Sequence, residues 1–163
     1  MRPDYVLGID PGAGGALSLY CLADRSVEVF DIPVIDGRVD PAKLAGIVDI
    51  CKVRGSIVAA VENVNSRPGQ AHMWAFALGV GTIHGVLGAL GVTFFLVQPA
   101  QWKSSFGLRR AADETQADTK ARARILAAKL WPSQADLFKR VKDADRAEAS
   151  LISRFFCAKN GWI

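Results

Sequence analysis

Val6-Leu7-Gly8-Ile9-Asp10-Pro11-Gly12 joins a short apolar run, Tyr5 to Ile9, to a single acid and then to a Pro-Gly turn. A run of this length bounded by turn residues reads as a strand. The acid at its end is costly to bury unless positive charge compensates it. After a glycine-rich turn, Ala16-Leu17-Ser18-Leu19-Tyr20 and Val27-Glu28-Val29-Phe30 alternate as strands do, so the chain opens as a three-stranded meander.

Asp40-Pro41 then reads as a helix start, cap followed by proline at the first helical position, with Leu44, Ile47, Val48 and Cys51 on one face and Gly55 at the end. Ile57-Val58-Ala59-Ala60-Val61 is a continuous apolar run that ends at Glu62, as expected of a strand covered on both faces. A long helix is predicted from about Ala71 to Leu90. Its Gly81, Gly85 and Gly88 allow close backbone approach, by default to the sheet and otherwise to a second subunit. Val92 to Val97 reads as a core strand closed by Gln98-Pro99. The polar segment Ser104 to Ala117 is the candidate mobile loop. Asp118 to Leu130 is predicted helical, with Lys120 and Arg124 on one face and Ile125 and Leu126 toward the core, until Trp131-Pro132 stops it. The last helix spans about Asp145 to Cys157, with Ala147, Leu151 and Phe155 buried.

This order of elements, three strands and then helices alternating with strands, predicts an α/β protein with a mixed sheet whose later strands enter by helical crossovers. It is the strand order of the ribonuclease-H-like fold, here a five-stranded mixed sheet flanked by helices. The 163 residues, half of them hydrophobic, fit a single folded domain over 1–163. Ala75 to Val97 lacks acidic and basic residues apart from His84 and is long enough to cross a bilayer. The stop at Gly91 and the strand-like residues after it favour a buried helix and a core strand over a membrane span. Cys21, Cys51 and Cys157 form no C-x-x-C pair, and no secretory leader is evident, so reduced thiols in a cytoplasmic protein are expected. Net charge is +4, but from Ala100 onward 13 Lys and Arg face 7 Asp and Glu, which makes the C-terminal part basic and the rest mildly acidic. A basic portion suits a polyanion such as nucleic acid, although many solvated surfaces are basic too.

Asp10 and Glu62 each follow an apolar strand in line. Two such acids emerging at one edge of a sheet suggest a shared cation, because unpaired buried acids are rare. The plainer reading is that each only marks a strand end. A third group, Asp143-Ala144-Asp145-Arg146-Ala147-Glu148, opens the last helix. Asp145 and Glu148, three apart, project from one face of its first turn. Acids there also suit a helix N-terminus, which is a sufficient structural explanation by itself. Two-ion hydrolysis of a phosphodiester needs several carboxylates converging on ions about 3.5–4 Å apart, and magnesium, which keeps several waters, needs only a few of them.

Taken together, VLGIDPG, AAVENV, QPAQWK and DRAEASLI resemble, in order and spacing, the RuvC family of Holliday junction resolvases, especially its shorter phage-type members. The resemblance runs from Val6 to Phe155. It implies a homodimeric endonuclease that nicks opposed strands of branched DNA, a four-way junction, using two Mg²⁺ ions, with Mn²⁺ as a possible substitute. It places the metal ligands at Asp10, Glu62, Asp145 and Glu148, with Asp143 as the alternative to Asp145. Glu148 stands where many bacterial members have aspartate. The resemblance implies that Lys103 and Lys120 lie near the scissile phosphate, and that Asn63 to Gln70, including Arg67, forms a junction-contacting loop without an aromatic before Trp74. Arg67, Lys103, Arg109, Arg110, Lys120 and Arg124 are the candidate DNA contacts, and such contacts weaken with salt.

Other readings remain open at this point. Flap or fork DNA needs the same metal site and basic surface as a junction. Gly8-Ile9-Asp10-Pro11-Gly12 also resembles the phosphate loop of actin-like and sugar-kinase-like ATPases, which need a second lobe that this length does not accommodate. A non-catalytic DNA-binding module would not need all four acids.

Overall fold

The computed structural model describes residues 2–64 and 73–163. Arg67, His72 and most of the Asn63–Gln70 segment therefore lie outside the described residues, as does the expected start of the long helix.

Strands β1 (Tyr5–Asp10), β2 (Ala16–Cys21) and β3 (Val27–Asp31) form the expected antiparallel meander. A short hairpin, β4 (Val34–Ile35) and β5 (Arg38–Val39), follows. It turns through Asp36 and Gly37, both at positive φ (49° and 73°), the backbone of a tight type I′ turn. Helix α1 (Pro41–Arg54) begins as the sequence predicts: the Asp40 carboxylate accepts from the Ala42 and Lys43 amides, and proline occupies the first turn. Strand β6 (Ile57–Glu62) enters parallel to β1. Helix α2 (Met73–Ala89) leads to β7 (Phe94–Val97), parallel to β6. Helices α3 (Pro99–Ser105), α4 (Gln116–Leu130) and α5 (Ala144–Lys159) complete the chain, with two 3₁₀ segments, Pro132–Phe138 and Val141–Asp143, between the last two. The sheet order is β3-β2-β1-β6-β7, a five-stranded mixed sheet flanked by helices, as the ribonuclease-H-like reading requires.

The pleat sorts the sheet's side chains into two cores. Leu7, Ile9, Leu17, Leu19, Ala59 and Val61 pack with Leu44 and Val48 of α1 and with Ile83 and Leu87 of α2. Val6, Tyr20 and Ala60 face the opposite layer, with Trp102, Ala123, Ala127, Leu151 and Ile152 of α3 to α5. By parity, Gly8, Asp10 and Glu62 belong to this second face. Gly8 is glycine because α5 passes directly over it. A side chain there would strike the Ala149 carbonyl and come within 2.8 Å of the Ser153 β-carbon. The Ser150 hydroxyl in the same turn donates to Ser18 Oγ of β2 at 2.9 Å, and α5 lies flat on β1 and β2.

Several expectations fail at the periphery. Val92 to Val97 reads as a core strand, yet β7 is an edge strand with Phe95 and Leu96 exposed, and no strand among the described residues pairs beyond it. The α2 helix is buried only along Gly79, Ile83, Val86 and Leu87. Among the described residues, nothing lies within 4 Å of where a side chain would begin at its Gly81, Gly85 and Gly88, so the default that they meet the sheet is wrong. They share an outward stripe with the exposed Trp74 and Leu78. Ile125 points outward as well, and small Ala123 and Ala127 make the α4 contact instead. Helix α4 also starts earlier than expected, at a capping box in which Thr115 and Asp118 bond reciprocally.

The segment expected to be a mobile loop is partly helical at its start and tied at its end. Leu108 is buried, and the Arg122 guanidinium donates to the Gly107 and Arg109 carbonyls and to Glu114. The cysteines are free thiols, Cys51 and Cys157 buried. No helix among the described residues is long and apolar enough to cross a membrane.

Candidate metal centre

Asp10 and Glu62 end neighbouring parallel strands. Ile9 pairs with Val61, so the two acids leave the sheet at one level and on one face. The first turn of α5 lies over them. Carboxylate oxygens of Asp10, Asp145 and Glu148 lie within 4.8 Å of one another, a spacing one cation can bridge. Glu62 is not one of that trio, but it ends the strand next to Asp10 and its charge bears on the Asp10 carboxyl.

The residues around these acids decide what state they can hold. Asp10 is 9% exposed and Glu62 6%. Burial, and then repulsion from Glu148, Glu62 and Asp145, holds the Asp10 carboxyl well above the usual carboxylate range. Burial also raises Glu62, partly offset by the Lys103 charge and by a hydrogen bond from Trp102. That bond, Trp102 Nε1 to Glu62 Oε1 at 2.8 Å, is made by an indole with no solvent exposure. The ring also carries the Lys103 ammonium 5.0 Å from its centre. Trp102 and Lys103 both lie on α3, the short helix that directly follows β7.

The helix acids are paired differently. Lys120 Nζ donates to Asp145 Oδ1 at 2.6 Å, and Lys103 Nζ lies 3.5 Å from Glu148 Oε1. Burial alone would lower the Lys120 pKa, but the bond to Asp145 and the charges of Asp145, Glu148 and Asp10 outweigh it and raise the pKa. Two lysines thus reach four acids, so with every carboxyl ionised the cluster would keep a net negative charge among largely buried side chains. Such a donor set, all oxygen and unbalanced in charge, suits a hard divalent cation.

Asp143 is not part of this cluster. Its side chain is 1% exposed and receives the Arg140 guanidinium and backbone amide, with Arg146 Nη1 3.6 Å away. Burial would raise its pKa, but the arginines prevail and lower it. Arg124 is likewise turned aside, donating to the Lys139 carbonyl, while Arg109 and Arg110 are exposed on the segment after α3. Trp102 is the participant that residue-by-residue reading missed. Its signal was its place one residue before Lys103 in a short segment directly after a strand on the acid side of the sheet. A cleft of about 490 Å³ at the other end of β1, lined by Arg2, Tyr5, Cys21 and Arg54, holds none of these acids.

No protein-family model matches the chain, and no curated protein matches its sequence significantly. Solved structures do. The chain is similar to Thermus thermophilus RuvC, at 17% identity over 96% of each chain with a TM-score of 0.61. It is similar to the same protein in complex with a Holliday junction substrate, at 17% identity, 96% of each chain and a TM-score of 0.60. It is also similar to the fowlpox virus Holliday junction resolvase, at 11% identity over 96% of this chain and 99% of that one, with a TM-score of 0.59. At these identities the shared property is the fold, and over almost its whole length the chain has the fold of these resolvases.

Proposed function

We propose that the chain is a divalent-metal-dependent endodeoxyribonuclease that resolves four-way DNA junctions by paired nicks. The observation that carries this reading is the convergence of Asp10, Asp145 and Glu148, with Glu62 beside them, at one edge of a resolvase-like sheet. In this reading Asp10, Glu62, Asp145 and Glu148 hold two Mg²⁺ ions, with Mn²⁺ as a substitute. Such ions supply a nucleophile at neutral pH and stabilise charge on the leaving oxygen.

The chain's own groups have separate tasks. Asp10 and Glu62 give a fixed floor, because both are held by the hydrogen-bonded ladder of β1 and β6. Trp102 orients one Glu62 oxygen. Lys120 and Lys103 balance Asp145 and Glu148 and, were those acids to hold cations, would be free to face the phosphate, where their charge would offset that building on the phosphoryl oxygens. Exposed Arg109 and Arg110 offer further phosphate contacts, which salt would weaken.

A homodimer is part of this proposal, since paired nicks need two sites. The outward α2 stripe of Trp74, Leu78, Gly81, Gly85 and Gly88, with the open edge of β7 beside it, is the face that suits a second copy. Glycines let two helices approach closely there. Such an enzyme would work in the cytoplasm of a bacterium or of a phage-infected host. The ATPase reading finds no second lobe among the described residues.

The test compares a synthetic four-way junction, a flap and a linear duplex with Mg²⁺, beside Asp10→Asn and Glu62→Gln. Paired nicks in the junction that require metal and both acids are expected. Metal-dependent cutting indifferent to both substitutions would sink the site. A preference for flap or fork DNA would replace the substrate and leave the chemistry.

A further inference from the structure

Asp143 stands two residues from a proposed ligand, is almost wholly buried and is used by none of the chemistry above. Its surroundings are built in detail. Arg140 closes on it from the preceding turn, with the backbone amide at 2.8 Å from Oδ2, Nη2 at 2.8 Å from Oδ1 and Nε at 3.1 and 3.2 Å from the two oxygens. Arg146, in the first turn of α5, lies 3.6 Å from Oδ1 and sends its fork to Asp31, Nε to Oδ1 and Nη2 to Oδ2, each at 2.6 Å. An ionised carboxylate has about four acceptor sites. Arg140 already takes most of those on Asp143, and two guanidinium groups balance its charge.

The chain Arg140–Asp143–Arg146–Asp31 therefore ties the start of α5 to the end of β3. Asp31 pairs with Ala16 across β3 and β2, and Ala16 pairs with Asp10 across β2 and β1. The anchor thus lies level with Asp10, two strands away. A bidentate arginine fork fixes orientation as well as distance, and it grips α5 between Asp145 and Glu148. Gly8 sets how close the helix comes to the sheet, and the fork sets where along the sheet edge its first turn rests.

We infer that Asp143 is a positioning residue, acting through Arg146 and Asp31 to hold Asp145 and Glu148 over Asp10, and that it binds no metal itself. The inference rests on the proposed metal site, and its test separates the two. Mn²⁺ binding would be followed by calorimetry and by the rise in Tm it causes, together with junction cleavage across a metal titration, for Asp143→Asn, Asp31→Asn, Arg146→Lys and Asp145→Asn.

Loss of an outer-shell partner weakens metal affinity by roughly tenfold or more. Asp143→Asn, Asp31→Asn and Arg146→Lys should each raise the half-saturating metal concentration by about tenfold, with the turnover at saturating metal close to that of the unmodified chain. Asp31→Glu, which keeps the carboxylate, should recover most of the affinity. Because the residues act as one chain, Asp31→Asn combined with Asp143→Asn should cost little more than either alone. Asp145→Asn should not be rescued by metal.

If Asp143→Asn abolishes turnover at saturating Mn²⁺ as Asp145→Asn does, Asp143 is a ligand and the inference is wrong. It is equally wrong if Asp31→Asn and Arg146→Lys leave metal affinity untouched. The Asp31 side chain is largely exposed, so this arm decides the matter even if the buried Asp143→Asn variant does not fold. If Asp145→Asn binds Mn²⁺ and cleaves normally, the metal site itself falls, which is a different result from either of these.

Discussion

The two halves of the acidic cluster are made in opposite ways. Asp10 and Glu62 come from adjacent central strands, buried, fixed by the β ladder and without a cationic hydrogen-bond partner; the only side-chain donor described on either is the Trp102 indole. Asp145 and Glu148 come from the first turn of a helix and each meets a lysine, on α4 and α3 respectively. The strand half is rigid and carries its charge at a cost, whereas the helix half is neutralised and can exchange its partners. A cation bound at such a site would relieve the first half and take the place of the lysines on the second. Strain is concentrated where geometry is best fixed, as is common at functional sites.

The sharpest way to break this contrast is Asp10→Asn. Loss of a proposed ligand on the rigid half should cut junction cleavage by three orders of magnitude or more, since metal-ion stabilisation is worth about several kcal/mol. The same variant should make the metal-free protein more stable at neutral pH. An acid whose pKa is raised by folding holds its proton more tightly in the folded state. The stabilisation is therefore full below the ordinary carboxylate range and is lost as the pH rises through the raised value. At neutral pH folding therefore works against the ordinary ionisation of Asp10, a cost that an amide removes. A gain of about 1 kcal/mol would lift the Tm by roughly 2–4 °C for a chain of this size. Unchanged or lowered Tm would mean that the strand half is not strained.

Glu148→Asp probes the helix half by shortening its reach by one methylene. Misplacing a group by about 1 Å can cost on the order of a hundredfold, so turnover should fall by one to two orders of magnitude, less than for Asp10→Asn. Turnover equal to the starting protein would show that α5 can shift to compensate, and that this half is adjustable in backbone as well as in charge. Next in size is Trp102→Phe, which keeps an aromatic ring in the core but removes the N–H that holds Glu62. The expected result is an approximately tenfold higher metal requirement with little change in saturated rate, measured by titrating Mg²⁺ in the cleavage assay. An unchanged requirement would make Trp102 a packing residue only.

How much of this could be read from the sequence differs between the same two halves. The strand acids were legible because an apolar run that ends in an acid states its own cost, and the parity of Gly8, Asp10 and Glu62 puts them on one face once the strands are neighbours. The helix acids were legible as a pair but not as a choice. Asp143 and Asp145 are both acids at a helix start, and only the positions of Arg140 and Arg146 separate them. Those contacts depend on the 3₁₀ turn before α5 and on where β3 ends, neither of which has a sequence signature. The edge position of β7 and the outward glycines of α2 were misread for a related reason. Apolar or small composition says that a surface can be covered, not whether this chain or another one covers it.

The smallest effect expected is also the one that tests the exchangeable character of the helix half most directly. Lys120→Met removes the ammonium from Asp145 while keeping much of the stem that packs beside it. A partly exposed pair of this kind contributes up to about 1 kcal/mol, so the metal-free Tm should fall by no more than roughly 2–4 °C. Saturating Mg²⁺ should then close most of the gap, because a cation on Asp145 does the electrostatic work the lysine did, and binding to the folded state alone raises stability with ligand concentration. A difference in Tm that persists at saturating Mg²⁺ would mean that Lys120 is a fixed structural partner. The helix half would then be as rigid as the strand half, and the contrast between them would be one of charge alone.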